Sequence, residues 1–315
     1  MMYNIAMFIP ITQSKMWQKL QDDLGEKSSL EAGNGYQYLA IQKSTPVGNY
    51  LYLPYGPVVD DVAGFRNSFK SLKNLAAKTD SIFIRIEPLN AELANNFPSN
   101  TVKVKDLNPK ETWLLDLRGS DEDLKAKLPS RLLRYYKNAE KNGITIETSH
   151  NPDDIHYLLD LQKALAKKKG INTFSETYLK TELAQPFSTL YIVKYKNPET
   201  NQTEIAAAGL VFDDKTTRYN LQGAQTNKGR TLHATGILTI QLIKDAKAKN
   251  LKTFDFWGIA PENAPDNHPW KGFTNFKKTF AGYERDHAGT HDIILKPLKY
   301  KLYQALRKIN RKRKK

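Results

Sequence analysis

Two hydrophobic periods alternate along this chain, runs of period two and stretches of period 3.6, and that alternation predicts an α/β protein. Strands are expected over 37–42, 50–53 and 81–86. Between the last two, Phe65, Phe69, Leu72 and Ala76 recur at helical spacing, which predicts a helix over 62–78. An earlier helix over 14–24 places Trp17, Leu20 and Leu24 on one face. After the turn-rich stretch 106–110 the order recurs. Strand 112–117 leads to helix 121–142, with Ser120 as N-cap, Asp123 three residues on, and Pro129 set to kink or split it. Strand 144–148 and helix 153–169 follow, with Pro152 in the first turn after an Asn151 cap. Then come strand 190–195, a turn over 197–202, strands 204–212 and 217–223, helix 232–249 and strand 253–257.

Hairpin, helix and strand thus appear twice, over 38–86 and over 192–257, which implies two similar lobes. The copies end in Arg85-Ile-Glu87 and Asp255-Phe-Trp257. Both place chemistry at the C-terminal end of a strand, where open α/β sheets bind ligands. The tail 294–315 reads as a basic helix whose Leu298, Leu302, Leu306 and Ile309 should dock on a lobe while its end is solvated. The expected division is a first lobe over 1–110, a second over 111–288, and a C-terminal segment 289–315 packing back on the first.

Composition narrows the chemistry. Forty-eight Lys and Arg against 33 Asp and Glu give a net charge of +15, which attracts RNA, nucleotide phosphates or an anionic membrane. With no Cys, disulfides, thiolate nucleophiles and Cys-based metal sites are excluded, and the six His lack paired metal-ligand spacing, so no metal is expected. No apolar run approaches the ~20 residues of a membrane span, and the first ten residues lack a basic export region. A soluble, cytoplasmic protein is expected, with peripheral contact at an anionic membrane admitted by its charge.

Ordered motifs give these elements a family likeness. Gln13-Ser14 with Trp17 and Lys19 comes first, then Leu53-Pro-Tyr-Gly-Pro57, then Thr112-Trp-Leu-Leu-Asp-Leu117 followed by Leu128-Pro-Ser-Arg-Leu-Leu-Arg134. The stretch 206–212, Tyr219 before Gly223, and Phe254-Asp-Phe-Trp-Gly258 running on to Phe276-Lys277 complete the series. In this order the chain resembles the Fem family of bacterial aminoacyl-tRNA-dependent peptidyltransferases, which attach amino acids to the stem peptide of peptidoglycan precursors. The resemblance implies two acetyltransferase-like (GNAT-like) lobes, with mixed sheets flanked by helices and the muropeptide in a cleft between and along them. It implies the compact type, since no sustained heptads mark a coiled-coil arm. The partners it implies are aminoacyl-tRNA and UDP-MurNAc-pentapeptide or a lipid-linked muropeptide, acting on a monomer without a cofactor.

The same likeness assigns candidate residues. Lys277 after Phe276 stands where the family's Phe-Lys pair sets a lysine at the reacting end of the muropeptide, to stabilise an oxyanion or the stem-peptide carboxylate; a solvated basic segment is the plain alternative. Lys19, beside Trp17, matches a family contact to the precursor diphosphate, against the default of an exposed helix lysine. Phe174 stands where some members have a phosphate-binding arginine. Glu87 is a candidate base for the attacking amine, with a salt bridge to Arg85 as the competing structural role. Arg85, Tyr55, Tyr219, Trp257 and Phe276 are candidate substrate walls, though aromatics at strand ends are more often core. Arg131, Arg134, Lys137 and Lys141 are expected on one helix face as a track for an acceptor stem. The loop 222–230 stands where acetyltransferases hold coenzyme pyrophosphate, but it lacks the Gln-x-x-Gly-x-Gly/Ala spacing. That disfavours the rival reading, an acyl-CoA-dependent N-acyltransferase. The other rival is a non-catalytic basic module for RNA or a membrane surface.

Overall fold

In the computed structural model, which describes residues 8–169 and 173–313, strand pairing builds two seven-stranded mixed sheets. Contacts divide the chain into one unit of Met1–Lys110 with Asp286–Lys315 and a second of Glu111–Arg285. The α/β class with helices flanking mixed sheets is as the sequence implied.

In the first unit, strand Gly48–Leu53 pairs antiparallel with Tyr36–Thr45 and parallel with Ser81–Ile86. A parallel neighbour requires a crossover, and helix Val62–Lys78 supplies it, burying Phe65, Leu72 and Ala76 against Leu51, Leu53, Ile84 and Ile86. Asp61 caps that helix through the Gly64 amide. The segment from 289 onward is more than an appendage. Strand His291–Ile294 inserts between Ser81–Ile86 and Thr101–Lys103, antiparallel to both.

Helix Pro297–Arg313 follows, and it docks by a different face from the expected one. Tyr300 and Tyr303 pack on Tyr50, Ile82 and Phe83, whereas Leu298, Leu302 and Ile309 are solvent-exposed. The aromatic face wins because Tyr300 adds a hydroxyl bond to buried Asp292, which no leucine could make.

The second unit repeats the plan. Strands Ser188–Lys196, Thr203–Asp213 and Thr217–Gln225 form an antiparallel meander, and helix Ala234–Ala248 carries the chain to Thr253–Gly258, parallel to Thr217–Gln225. Glu111–Asp116 closes on its far side, antiparallel. The expected helix over 121–142 is split: Ser120 caps Asp121–Ala126 with a reciprocal Asp123 bond, Pro129 ends that run, and Ser130–Lys137 starts afresh. Lys141 therefore lies off the helix carrying Arg131, Arg134 and Lys137, in the single turn Glu140–Asn142. Asn151 caps a turn at Pro152–Ile155 before His156–Lys169. Helices Glu176–Leu183 and Lys271–Lys278 have no counterpart among the expected elements.

Candidate functional site

Strand divergence creates the principal site, in the second unit. Thr217–Gln225 and Thr253–Gly258 pair through Thr217–Thr253, Arg218–Phe254 and Tyr219–Asp255, and the pairing stops there. Each strand continues on its other neighbour, with a register shift between Asp255 and Gly258. Parted parallel strands leave backbone and side chains at their C-terminal ends open to a ligand.

Asp255 shapes this end. Its Oδ1 accepts the Trp257 amide at 2.7 Å, which holds Trp257 in the left-handed region at φ 65°. A bulky residue rarely adopts that conformation, and such strain concentrates at functional positions. Burial pushes the Asp255 carboxyl up to about 6, against the pull of the Trp257 amide and of the Arg285 and Lys277 charges.

Lys277 comes from helix Lys271–Lys278, which Thr274 pins by accepting the Ala260 amide at 2.8 Å. The helix thereby aims the Lys277 ammonium at the Gly258 carbonyl, 2.6 Å away, and 5.0 Å from the Phe273 ring centre. Burial lowers its pKa to about 8, while Asp255 raises it. A cation and an anion, each moved toward neutrality by desolvation, thus flank the strained turn. Such perturbed pairs are concentrated at functional sites.

Of the other candidate walls, Tyr219 meets Trp257 edge-on at 6.3 Å but is buried, its hydroxyl donating to Asp214. Phe276 turns inward onto Phe280 and the core. Trp257 and Phe276 are both half-buried, and of the two it is Phe276 that packs on the core.

Structural work occupies the first unit's candidates. Glu87 is buried and takes hydrogen bonds from the Tyr52 and Thr290 hydroxyls, the Asn108 amide and the Asn108 side chain. Four donors occupy both oxygens, which makes Glu87 a buried acceptor joining three segments. Arg85 is likewise engaged inside the core. It forms a two-pronged ion pair with Asp292 at 2.6 and 2.7 Å, fully buried, with its guanidinium near the Tyr50 and Phe83 rings. Tyr55 is buried and donates to the Pro109 carbonyl at 2.9 Å. Lys19 projects into solvent from helix Lys15–Asp23 and pairs with Asp23, with Trp17 half-buried on the same helix.

Among the basic-track residues, Arg131 and Arg134 flank the Tyr135 ring at 5.5 and 5.8 Å, and Tyr135 stacks on His233 at 4.1 Å. Lys137 and Lys141 are exposed. Phe174 is exposed and stacks on Tyr178; Gly170–Asn172 lie outside the described residues.

In the loop at 222–230 several amides are engaged within the chain. Thr226 caps the short helix Asn227–Thr231 through the Gly229 amide, and the Leu232 and His233 amides are spent on Lys228 and Arg230 carbonyls. Gly229 is glycine for packing: a Cβ there would lie 2.1 Å from the Ala206 carbonyl oxygen.

Sequence reasoning missed Glu182. Burial pushes its carboxyl up to about 8, the Gln222 side chain donates to it at 2.6 Å, and Gln162 donates to Gln222 at 3.0 Å. Gln222 lies on Thr217–Gln225 beyond the point where the parallel strands part. A glutamate inside an otherwise ordinary amphipathic stretch carries no signal of such burial.

Comparison with known proteins agrees with this architecture. FemX shares the fold over 93% of this chain and 94% of its own, at 17% identity and a TM-score of 0.78. The DUF2156 C-terminal domain of a protein named as a lysylphosphatidylglycerol synthetase, from Agrobacterium fabrum, matches 94% of this chain and 92% of its own at 13% identity, TM-score 0.58. L-PGS from Bacillus licheniformis follows at 14% identity, 89% and 91% coverage, and a TM-score of 0.56. No curated protein matches the sequence significantly. Residues 181–308, which hold the parted strands, Lys277 and the inserted strand, match the model of the FemAB family.

Proposed function

We propose that this protein transfers an amino acid from aminoacyl-tRNA to the stem-peptide side-chain amine of a peptidoglycan precursor, UDP-MurNAc-pentapeptide or its lipid-linked form. The observation that carries the proposal is the Lys277 ammonium held by Gly258 beside desolvated Asp255, at the end of two parted strands. In the reaction the amine nitrogen bonds to the aminoacyl carbonyl carbon, the ester C–O bond to the tRNA ribose breaks, and the proton lost by the amine ends on the ribose oxygen. No side-chain nucleophile and no cofactor enters that balance. What the protein must supply is placement and a charge where the carbonyl oxygen turns negative.

Lys277 fits that charge. Its half-buried position raises the worth of an ammonium next to an oxyanion, and nearby Asp255 keeps it protonated near neutral pH. Trp257 is the wall for the peptide. Lys19 and Trp17 are assigned to the precursor diphosphate, and Arg131, Arg134, Lys137 and Lys141 to the tRNA acceptor stem, where Tyr135 between two guanidiniums offers a stacking surface. An acyl-CoA reading has less support because the loop lacks the Gln-x-x-Gly-x-Gly/Ala spacing and its Gly229, Leu232 and His233 amides are bonded within the chain.

Incubation with charged bulk tRNA and each precursor form, followed by mass spectrometry, tests the proposal. A gain of one aminoacyl residue is expected. No gain with either form overturns it.

A further inference from the structure

The C-terminal helix Pro297–Arg313 has two faces, and only one is used within the fold. Tyr300 and Tyr303 are packed against Phe83 and Tyr50. On the other side Leu298, Leu302 and Ile309 are 82%, 54% and 48% exposed. Steps of four and seven residues align these three along one stripe, about 16 Å long at 1.5 Å rise per residue. Leucines and isoleucine so exposed on a well-anchored helix require a partner to be other than a liability.

Charge identifies the partner. Residues 297–315 contain nine Lys and Arg and no Asp or Glu. Lys299 and Lys301 flank Leu298 and Leu302 in sequence, and Lys308 adjoins Ile309. Two copies of this helix laid face to face would set like charges against each other. RNA would use the lysines but leaves the aliphatic stripe without a role, since its backbone is bound through charge and hydrogen bonds. A bilayer with anionic headgroups satisfies both features: acyl chains take the stripe, and phosphates take the lysines.

We infer that helix Pro297–Arg313 is a peripheral membrane anchor, lying in the headgroup region of an anionic bilayer with Leu298, Leu302 and Ile309 inserted. The Tyr300 and Tyr303 face stays on the protein and fixes the orientation, so the anchor is rigidly joined to the first unit. The inference stands apart from the transfer reaction, because it needs only the helix and a lipid surface.

Flotation of the full chain with phosphatidylglycerol-rich vesicles, with pure phosphatidylcholine vesicles as control, tests it. Binding to the first and not the second is expected. The double variant Leu298→Glu, Leu302→Glu alters only exposed positions and should weaken vesicle affinity about tenfold or more. Lys301→Glu with Lys308→Glu should weaken it too and leave what binding remains less sensitive to salt. A single Leu302→Trp should show fluorescence quenching by brominated acyl chains, which reports insertion independently of affinity. Unchanged vesicle binding in the leucine variant, or indole fluorescence that brominated chains leave unquenched in Leu302→Trp, overturns the inference. So does a leucine variant that loses tRNA affinity or self-association in light scattering while vesicle binding is absent throughout.

Discussion

Replacing Asp292 by alanine should destabilise the protein more than any other single carboxylate change. Arg85 is 1% exposed and Asp292 is fully buried, and the two share bonds of 2.6 and 2.7 Å between adjacent strands. Tyr300 donates to the same carboxylate at 2.8 Å, so one substitution leaves both a guanidinium and a phenol without their acceptor. Breaking a buried pair from one side costs about 3–5 kcal/mol, because the remaining charge is stranded in a low-dielectric core. At roughly 2–4 °C per kcal/mol for a chain of this size, the unfolding midpoint should fall by on the order of 10 °C. The double variant Arg85→Met, Asp292→Leu removes both charges and keeps the volume apolar, so it should recover most of the loss. Thermal melts of the four members of that cycle measure the coupling. The double variant should also retain precursor affinity, since Arg85 is spent inside the core. A loss below about 1 kcal/mol for Asp292→Ala, or precursor affinity that disappears with Arg85 in the folded double variant, would refute the assignment.

Three further outcomes follow from the second unit. With the Lys277 pKa near 8, transfer that depends on its charge should fall as pH rises through about 8; Lys277→Arg should move that limb upward, and Lys277→Met should cost on the order of 10²-fold or more in kcat, read from mass-spectrometric initial rates. Because unfolded Lys277 binds a proton that the folded state releases between about 8 and the ordinary 10.5, its contribution to stability rises across that window, and the penalty is present in full below it. Lys277→Met should therefore fold no less stably than the parent at pH 7, as urea midpoints can check. Glu182 has the opposite slope: the folded state keeps a proton that the unfolded chain gives up near the ordinary 4.5, so stability is lost as pH rises from there toward about 8. Glu182→Gln should flatten that decline, and an unchanged pH profile of the melting temperature would contradict its burial. Gly229→Ala should cost about 2 kcal/mol or more in stability, because its Cβ would meet the Ala206 carbonyl oxygen at 2.1 Å; a neutral substitution would mean the loop is not packed as described.

How much of this was legible in the sequence depended on whether the deciding interaction was local. Ser120, Asn151 and Pro129 act on amides one to three residues away, and each did what its position predicted. The parallel crossovers were also legible, because a helix between two β-rich runs leaves few other topologies. Non-local placements were not. Strand His291–Ile294 pairs with Phe83–Ile86, more than 200 positions earlier, and nothing in a four-residue run announces that. Glu87 and Arg85 sit at a strand end, the right place for a site, yet their partners Thr290, just before that distant strand, and Asp292, on it, engage them. The tail shows the same limit from the other side. A helix with an aliphatic stripe and an aromatic pair has two candidate buried faces, and periodicity cannot choose between them; the Tyr300 hydroxyl, bonded to a carboxylate already needed by Arg85, does.

The two halves of the sequence differ in what their strand ends do with charge. Both lobes end a parallel strand in a polar or aromatic motif, but only in the first unit does the adjoining antiparallel strand bring a counter-charge onto the motif; Glu111–Asp116 brings none onto Asp255. Asp255 accepts the backbone amide of Trp257 and remains desolvated, and the ammonium of Lys277 is bonded to a carbonyl rather than to it. In the first unit the corresponding strand, His291–Ile294, brings Asp292 to neutralise Arg85. One copy of the repeat has closed its ion pair into the core; the other holds Asp255 and Lys277 apart at a strained turn, where the proposed reaction would place a substrate's charge. A double variant Asp255→Asn, Lys277→Met that melts at or above the parental temperature while abolishing transfer would be the result this asymmetry requires, and parental activity in that variant would remove its basis.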